Sequence, residues 1–329
     1  MKRLFIVASL AIMAIGCQKT VVENETLTPI GFNTEVGKQT RAIVTDNTYL
    51  TAQPFTVYAY GHQGTASNTV MDGVTVTYYE ATTGEGATPA KWAAANNAKY
   101  YWPNDATTTM NFYAYSPAGL TGMTHNETDG FVINYTQTNA YVDFMVATPV
   151  TGATYADQNG AVTGAPASVP VEFNHQLTQV VFNLTANIAD VTVTPVSITL
   201  KAVGSTATYT NGVWGVTSVP ENYTVFSSEV AAASSSVAAG ATTLATAPVA
   251  MIPQTLADTM VFEVVYTIAG TGVAAETVTK EIKLATTAVT AWTKNMKVVY
   301  NLAVGLNEIT FNPTVAAWDQ DTTAGNIQL

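Results

Sequence analysis

Apolar and polar positions alternate along this chain with a period of two. The runs FTVYAY (residues 55–60), VTVTYY (74–79), MNFYAY (110–115), FVINYT (131–136) and VDFMVA (142–147) form a first series. A second comprises VVFNLTA (180–186), VSITLKAV (196–203), MVFEVVYTIAG (260–270), VTKEIKLA (278–285) and KVVYNLAV (297–304). Successive side chains of a strand point to opposite faces, so each run predicts a strand with one face toward a core. Gly, Asn, Asp and Pro clusters between the runs supply turns. Long apolar stripes of helical period are missing. The pattern predicts an all-β chain of two tandem β-sandwiches, residues 42–172 and 173–329, divided near Glu172. The Ala- and Ser-rich segment from Glu229 to Ala247 reads as a mobile connection between strands.

The start of the chain has a different pattern. Lys2 and Arg3 precede an uncharged apolar run from Leu4 to Gly16, and Cys17 follows. The run is shorter than the roughly 20 apolar residues that a membrane span needs, and it reads as a secretory signal, residues 1–16. Small residues before the cysteine suit a lipoprotein cleavage site, with the Cys17 thiol as the nucleophile that takes up diacylglycerol. Cys17 is the only cysteine, so neither disulfides nor thiol chemistry are expected in the folded part.

Composition narrows the function classes. Charged residues make up 11% of the chain, against about 25% in ordinary soluble proteins, and the net charge is −11. A negative surface without a basic patch repels phosphates, so nucleic acid is not an expected partner. His62, His125 and His175 lie far apart without the spacing of a metal site, and each is expected at a surface or a strand end. Asp319 and Asp321 read as a solvated tail, since calcium takes six to eight oxygens. No serine-hydrolase elbow is present. Catalytic residues, metal ligands and cofactors are therefore not assigned, and the chain is not expected to be an enzyme. Trp92 and the aromatic run YYWP (100–103) suit a strand core, with a sugar-stacking platform as the alternative.

Two features near the ends belong together. IGFNTEV (residues 30–36) and ITFNPTV (309–315) share the pattern I-x-F-N-x-x-V. Ile30, Phe32 and Val36, with Thr34, would point to one face of a strand; Ile309, Phe311 and Val315 repeat that spacing, with Pro313 in the place of Thr34. Beyond the signal there is a single arginine, Arg41, against nine lysines. It stands in K-Q-T-R-A, between the first strand and the first sandwich. A cut between Arg41 and Ala42 would detach residues 17–41 together with the lipid. If the leading strand fills a groove, its loss exposes an apolar slot with unpaired backbone groups, which invites another strand. The tail of a second subunit is the candidate occupant, and such a head-to-tail contact builds an open filament.

In their order along the chain, these and further stretches resemble the fimbrillin family, the type V pilins of Bacteroidales. The resemblance is carried by Cys17, the I-x-F at Ile30 and Phe32, Thr40-Arg41-Ala42, KYYWP (99–103), FYAYSP (112–117), DFMVA (143–147), FNHQLTQVVFNL (173–184) and MIPQTL (251–256). The closing Y-x-L…I-x-F-x-P-x-V-x-x-W, Tyr300 to Trp318, completes it. It implies two transthyretin-like β-sandwich domains and export as an outer-membrane lipoprotein. It also implies removal of the N-terminal strand by an Arg-directed protease and strand exchange with other fimbrial subunits in adhesive surface fimbriae. Two alternatives stay open: a monomeric surface lipoprotein that binds glycans, and a tip adhesin that keeps its last strand.

Overall fold

A computed structural model describes residues 28–36, 51–84, 86–103, 105, 107–138, 140, 142–154, 168–186, 191–228, 244–270, 273–304 and 309–318. Among the described residues, apart from one helical turn at Ala95–Asn97 and the two helical residues 51–52, the regular structure is β. The first series of strands is β1 (Gly31–Val36), β2 (Phe55–Gln63), β3 (Ala66–Tyr79), β4 (Lys91–Ala94), β5 (Thr109–Ser116), β6 (Thr124–Asn126), β7 (Gly130–Thr136), β8 (Met145–Ala147), β9 (Val150–Ala153) and β10 (Ser168–His175). The second opens with β11 (Thr178–Ala186), β12 (Val191–Thr210), β13 (Val213–Trp214), β14 (Ser218–Ser227), β15 (Leu244–Ala245) and β16 (Val249–Met251). It closes with β17 (Gln254–Thr255), β18 (Val261–Gly270), β19 (Val273–Lys283), β20 (Ala291–Trp292), β21 (Met296–Val304) and β22 (Ile309–Ala317). Most of the segment Glu229 to Ala247 lies outside the described residues.

In the first half the strands pair in the order β2-β3-β4-β1-β10-β8-β5, and β5 pairs back onto β2. The ladder thus closes on itself around an apolar interior of Phe32, Phe55, Val57, Phe112, Val171 and Phe173. Closure leaves each member of this ring with a neighbour on both sides. β2 is buried on both faces through its first five residues. Phe55, Val57 and Ala59 face that interior, while Tyr58 on the opposite face packs into a separate cluster with Tyr115 and Phe131.

In the second half, β11 pairs with β21, and β22 is added to the outer edge of β21. The facing sheet runs β19-β18-β12. Between them lies a core to which Phe182, Leu184, Ile198, Phe262, Tyr266 and Tyr300 contribute. β18 is the plainest case of a half-buried strand: Phe262, Val264, Tyr266 and Ile268 point inward and alternate with partly exposed residues.

Pairing does not follow chain order at the join. β12 is 20 residues long, and only its first half is matched by β18, from Val191 to Lys201. Its far end, Thr206 to Thr210, pairs with β7 of the first series. The β6–β7 hairpin is thereby carried into the second sheet. A shared cluster of Tyr115, Phe131, Tyr135, Phe144, Tyr209 and Trp318 fills the space between the halves. Glu172 lies within β10 and pairs with Glu35 of β1.

Candidate functional site: the groove held by the leading strand

β1 is an interior member of the closed ladder. Along one edge it runs parallel to β10 through six residue pairs, from Gly31↔Ser168 to Val36↔Phe173. Along the other it meets β4 at Phe32↔Trp92. The chain just before it is clasped by residues 100–102. The Ile30 N–H donates to the Tyr100 carbonyl at 2.8 Å, and the Trp102 N–H to the Thr28 carbonyl at 3.0 Å.

Alternation sends Ile30, Phe32 and Thr34 inward, with exposures of 6%, 5% and 4%, while Asn33 is exposed. Phe32 meets Phe55 and Phe112 edge to face, with ring centroids 5.9 and 6.3 Å apart. Such aromatic pairs add about 0.5–1.5 kcal/mol beyond the area they bury. The space left beside Phe32, between Val57, Phe112 and Val171, is about 10 Å³, close to the least that admits a single water. β1 is thus a packed part of the first core. The side chain of Val36 lies outside the described ones.

Trp92 and Trp102 are exposed by only 6% and 3%, and both belong to the interior that β1 completes. Of the aromatics considered above as a sugar platform, Tyr101 alone is exposed, at 38%. Cys17, Arg41 and Ala42 lie outside the described residues. So do Asp319 and Asp321.

At the other end, β22 lies antiparallel on β21 through nine pairs, from Met296↔Ala317 to Val304↔Ile309. Ile309 is half-buried against the second core, Pro313 is buried and Val315 is 44% exposed. The Phe311 side chain lies outside the described ones. The shared I-x-F-N-x-x-V pattern therefore occupies two different settings. β1 has a strand on each side, whereas among the described residues β22 is an edge strand of its own subunit. A proline fits an edge, where its missing N–H leaves no ladder bond unmade.

Two histidines have more specific surroundings than their isolation in sequence suggests. His175 ends β10, but it is buried, with Nδ1 2.5 Å from Asp143 Oδ2. His125, in β6, is half-buried among Tyr58, Tyr60, Tyr113 and Phe131. Its Nδ1 lies 3.0 Å from the Tyr60 hydroxyl. Burial pushes its imidazole down to about 4, against a partial upward pull from Glu127. The unfolded chain then takes up this proton near pH 6.5 and the folded chain only near 4, so stability is complete above that window and falls as the pH drops through it. Replacing His125 by Gln is expected to flatten the loss of thermal stability between about pH 6.5 and about pH 4. Melting curves of both proteins at several pH values across that window provide the check. His62, at the end of β2, is partly exposed and pairs with Glu127 at 3.0 Å.

An all-β chain whose first described strand is an interior ladder member and whose last described strand lies on an edge has relatives among solved structures. A fimbrial protein from Bacteroides vulgatus ATCC 8482 matches with a TM-score of 0.63 at 16% identity, over 88% of this chain and 99% of that one. A candidate cell-adhesion protein from Bacteroides ovatus ATCC 8483 matches with 0.52 at 15% identity, over 89% and 99%. Another from Bacteroides uniformis ATCC 8492 matches with 0.51 at 16% identity, over 88% and 98%. At these identities the likeness is one of fold. No functionally curated protein matches the chain. A sequence model described as fimbrillin-like matches residues 40–318. The chain belongs to the fimbrillin-like family, a family of fimbrial subunits.

Proposed function

We propose that this chain is a structural, non-enzymatic subunit of adhesive surface fimbriae that polymerises by strand exchange after its leading strand is removed. In this reading Cys17 carries a lipid that anchors the precursor in the outer membrane, and an Arg-directed protease cuts between Arg41 and Ala42. The cut separates β1 from the folded remainder, and the tail of another subunit enters the place that β1 held. The observation that carries the reading is the burial of Ile30 and Phe32 inside the closed ladder. Withdrawing them uncovers an aromatic-lined groove and the bare edges of β10 and β4. Each large apolar side chain that refills the groove contributes about 1.5–3 kcal/mol. Each renewed backbone bond adds about 0.5–1.5 kcal/mol net.

One observation favours the tip-subunit alternative. β22 is seated along the whole length of β21, so donation requires that ladder to open. The glycan-binding reading has no comparable support, because Trp92 and Trp102 are enclosed.

Digestion of the full-length, uncut protein with an Arg-specific protease separates the readings. The fimbrial reading expects one new amino terminus within the folded chain, at Ala42, followed by head-to-tail oligomers in light scattering and electron micrographs. A cut product that stays monomeric, with residues 309–318 still protected from solvent exchange, identifies a subunit that keeps its tail. A chain that resists the protease removes the cleavage step.

A further inference from the structure

β10 is the element on which the leading strand and the tail both bear. Its first six residues carry β1 on one edge, ending at Phe173. On the other edge it has three pairs with β8, Phe173↔Ala147, Asn174↔Val146 and His175↔Met145. Two residues beyond the last β1 pair, the His175 imidazole is held by Asp143 and stacks on Trp318, with centroids 4.2 Å apart and planes inclined by 13°. Trp318 directly follows β22, and its backbone N–H donates to the Asn295 carbonyl at 3.0 Å.

The seat of Trp318 combines close apolar contact with poor polar satisfaction. Indole and imidazole are exposed by only 3% and 2%. Yet among the described residues none offers a hydrogen bond to His175 Nε2, Asp143 Oδ1 or Trp318 Nε1, all three of which are buried. Orphaned polar atoms oppose closure of the seat, whereas stacking and burial favour it. Opening it to water would satisfy all three. A seat of this kind holds only while the two rings stay in register.

We propose that Trp318 on His175 is a catch that keeps β22 on its own subunit, and that occupancy of the β1 groove sets it. With β1 in place, β10 is fixed between two neighbours and His175 stands under the indole. Without β1, the strand pairing of β10 among the described residues is with β8 through Phe173, Asn174 and His175, and the Thr148 N–H donates to the Glu172 carbonyl just before them, so the six residues that carried β1 lose a whole edge. The imidazole then shifts, the stack is lost and the orphaned atoms are hydrated. β22, an edge strand with Val315 already exposed, peels from β21. The catch rests on the reading that β1 vacates its groove, and it adds an order of events: the tail is retained while the leader is present and released once it is gone.

Hydrogen exchange measured by mass spectrometry on the uncut, full-length chain tests the catch without any assembly step. Phe32→Asp, which drives β1 out, is expected to speed exchange over residues 310–318 at least about tenfold, while β18 stays protected. Phe32→Ala is expected to act in the same direction by a smaller factor, and it decides the matter if the Asp variant loosens β18 as well. Trp318→Ala is expected to speed exchange in the tail while residues 31–36 remain protected. A tail that keeps its protection when residues 31–36 have opened overturns the proposal, as does a tail indifferent to Trp318→Ala. These outcomes are independent of the protease digest. A chain not cut after Arg41 leaves the catch intact, and a failed catch leaves cleavage and assembly standing.

Discussion

Phe32→Ala will lower the stability of the uncut protein by about 3–5 kcal/mol, the usual cost of removing a buried phenylalanine ring. The upper part of that range is expected here because the site has little means of collapsing. The ring is met by Phe55 and Phe112, and Phe55 is itself wedged against Trp92 and Phe173, at 5.1 and 5.4 Å. These neighbours belong to a closed ladder and cannot follow the missing atoms inward without breaking strand pairs. Phe32→Leu keeps part of the volume and should lose less. Urea unfolding followed by tryptophan fluorescence checks both, since Trp92 and Trp102 line the same interior. A loss below about 1 kcal/mol for Phe32→Ala, the size of a surface change, would mean that β1 contributes little to the first core, and the groove would lose its significance.

Much of the fold was legible in the alternation itself, because a half-buried strand records its burial every second residue. β18 shows this directly through Phe262, Val264, Tyr266 and Ile268. The all-β class and the fimbrillin resemblance rest on such runs and on their order, and the family match over residues 40–318 agrees with them. What alternation does not record is which strand lies beside which. The transfer of the β6–β7 hairpin to β12 follows from the length of β12, whose far end extends past β18 and needs another partner. Nor does alternation separate an interior strand from an edge strand. Ile30-x-Phe32 and Ile309-x-Phe311 read alike, yet one segment is enclosed by β4 and β10 while the other has β21 alone among the described strands. Pro313 was the local sign of that difference, since a proline suits an edge. The stack of Trp318 on His175 above Asp143 had no signal at all in the sequence. Its three residues are far apart along the chain, and no spacing rule connects them.

On the proposed reading, Arg41→Ala is expected to abolish assembly and leave the fold as it is. In sequence the arginine stands between β1, which ends at Val36, and the next strand among the described residues, which begins at Phe55. If Arg41 acts only as the cleavage site, its exchange changes stability by no more than the about 0.5 kcal/mol of a surface substitution, and melting curves of the variant and the parent should coincide. The effect on polymerisation should be complete, because Arg41 is the only arginine after Arg3. Treated with an Arg-specific protease, the variant is expected to remain a monomer with residues 31–36 still protected. Restoring an arginine at a neighbouring position separates the role of the residue from that of the cut. Gln39→Arg in the Arg41→Ala background would move the proposed cut two residues earlier, still beyond the end of β1 at Val36, so on this reading digestion again releases the leader and oligomers return. Filaments from Arg41→Ala alone would show that β1 leaves without proteolysis. A monomer after digestion of the double variant would show that Arg41 itself, rather than departure of the leading strand, is what assembly requires.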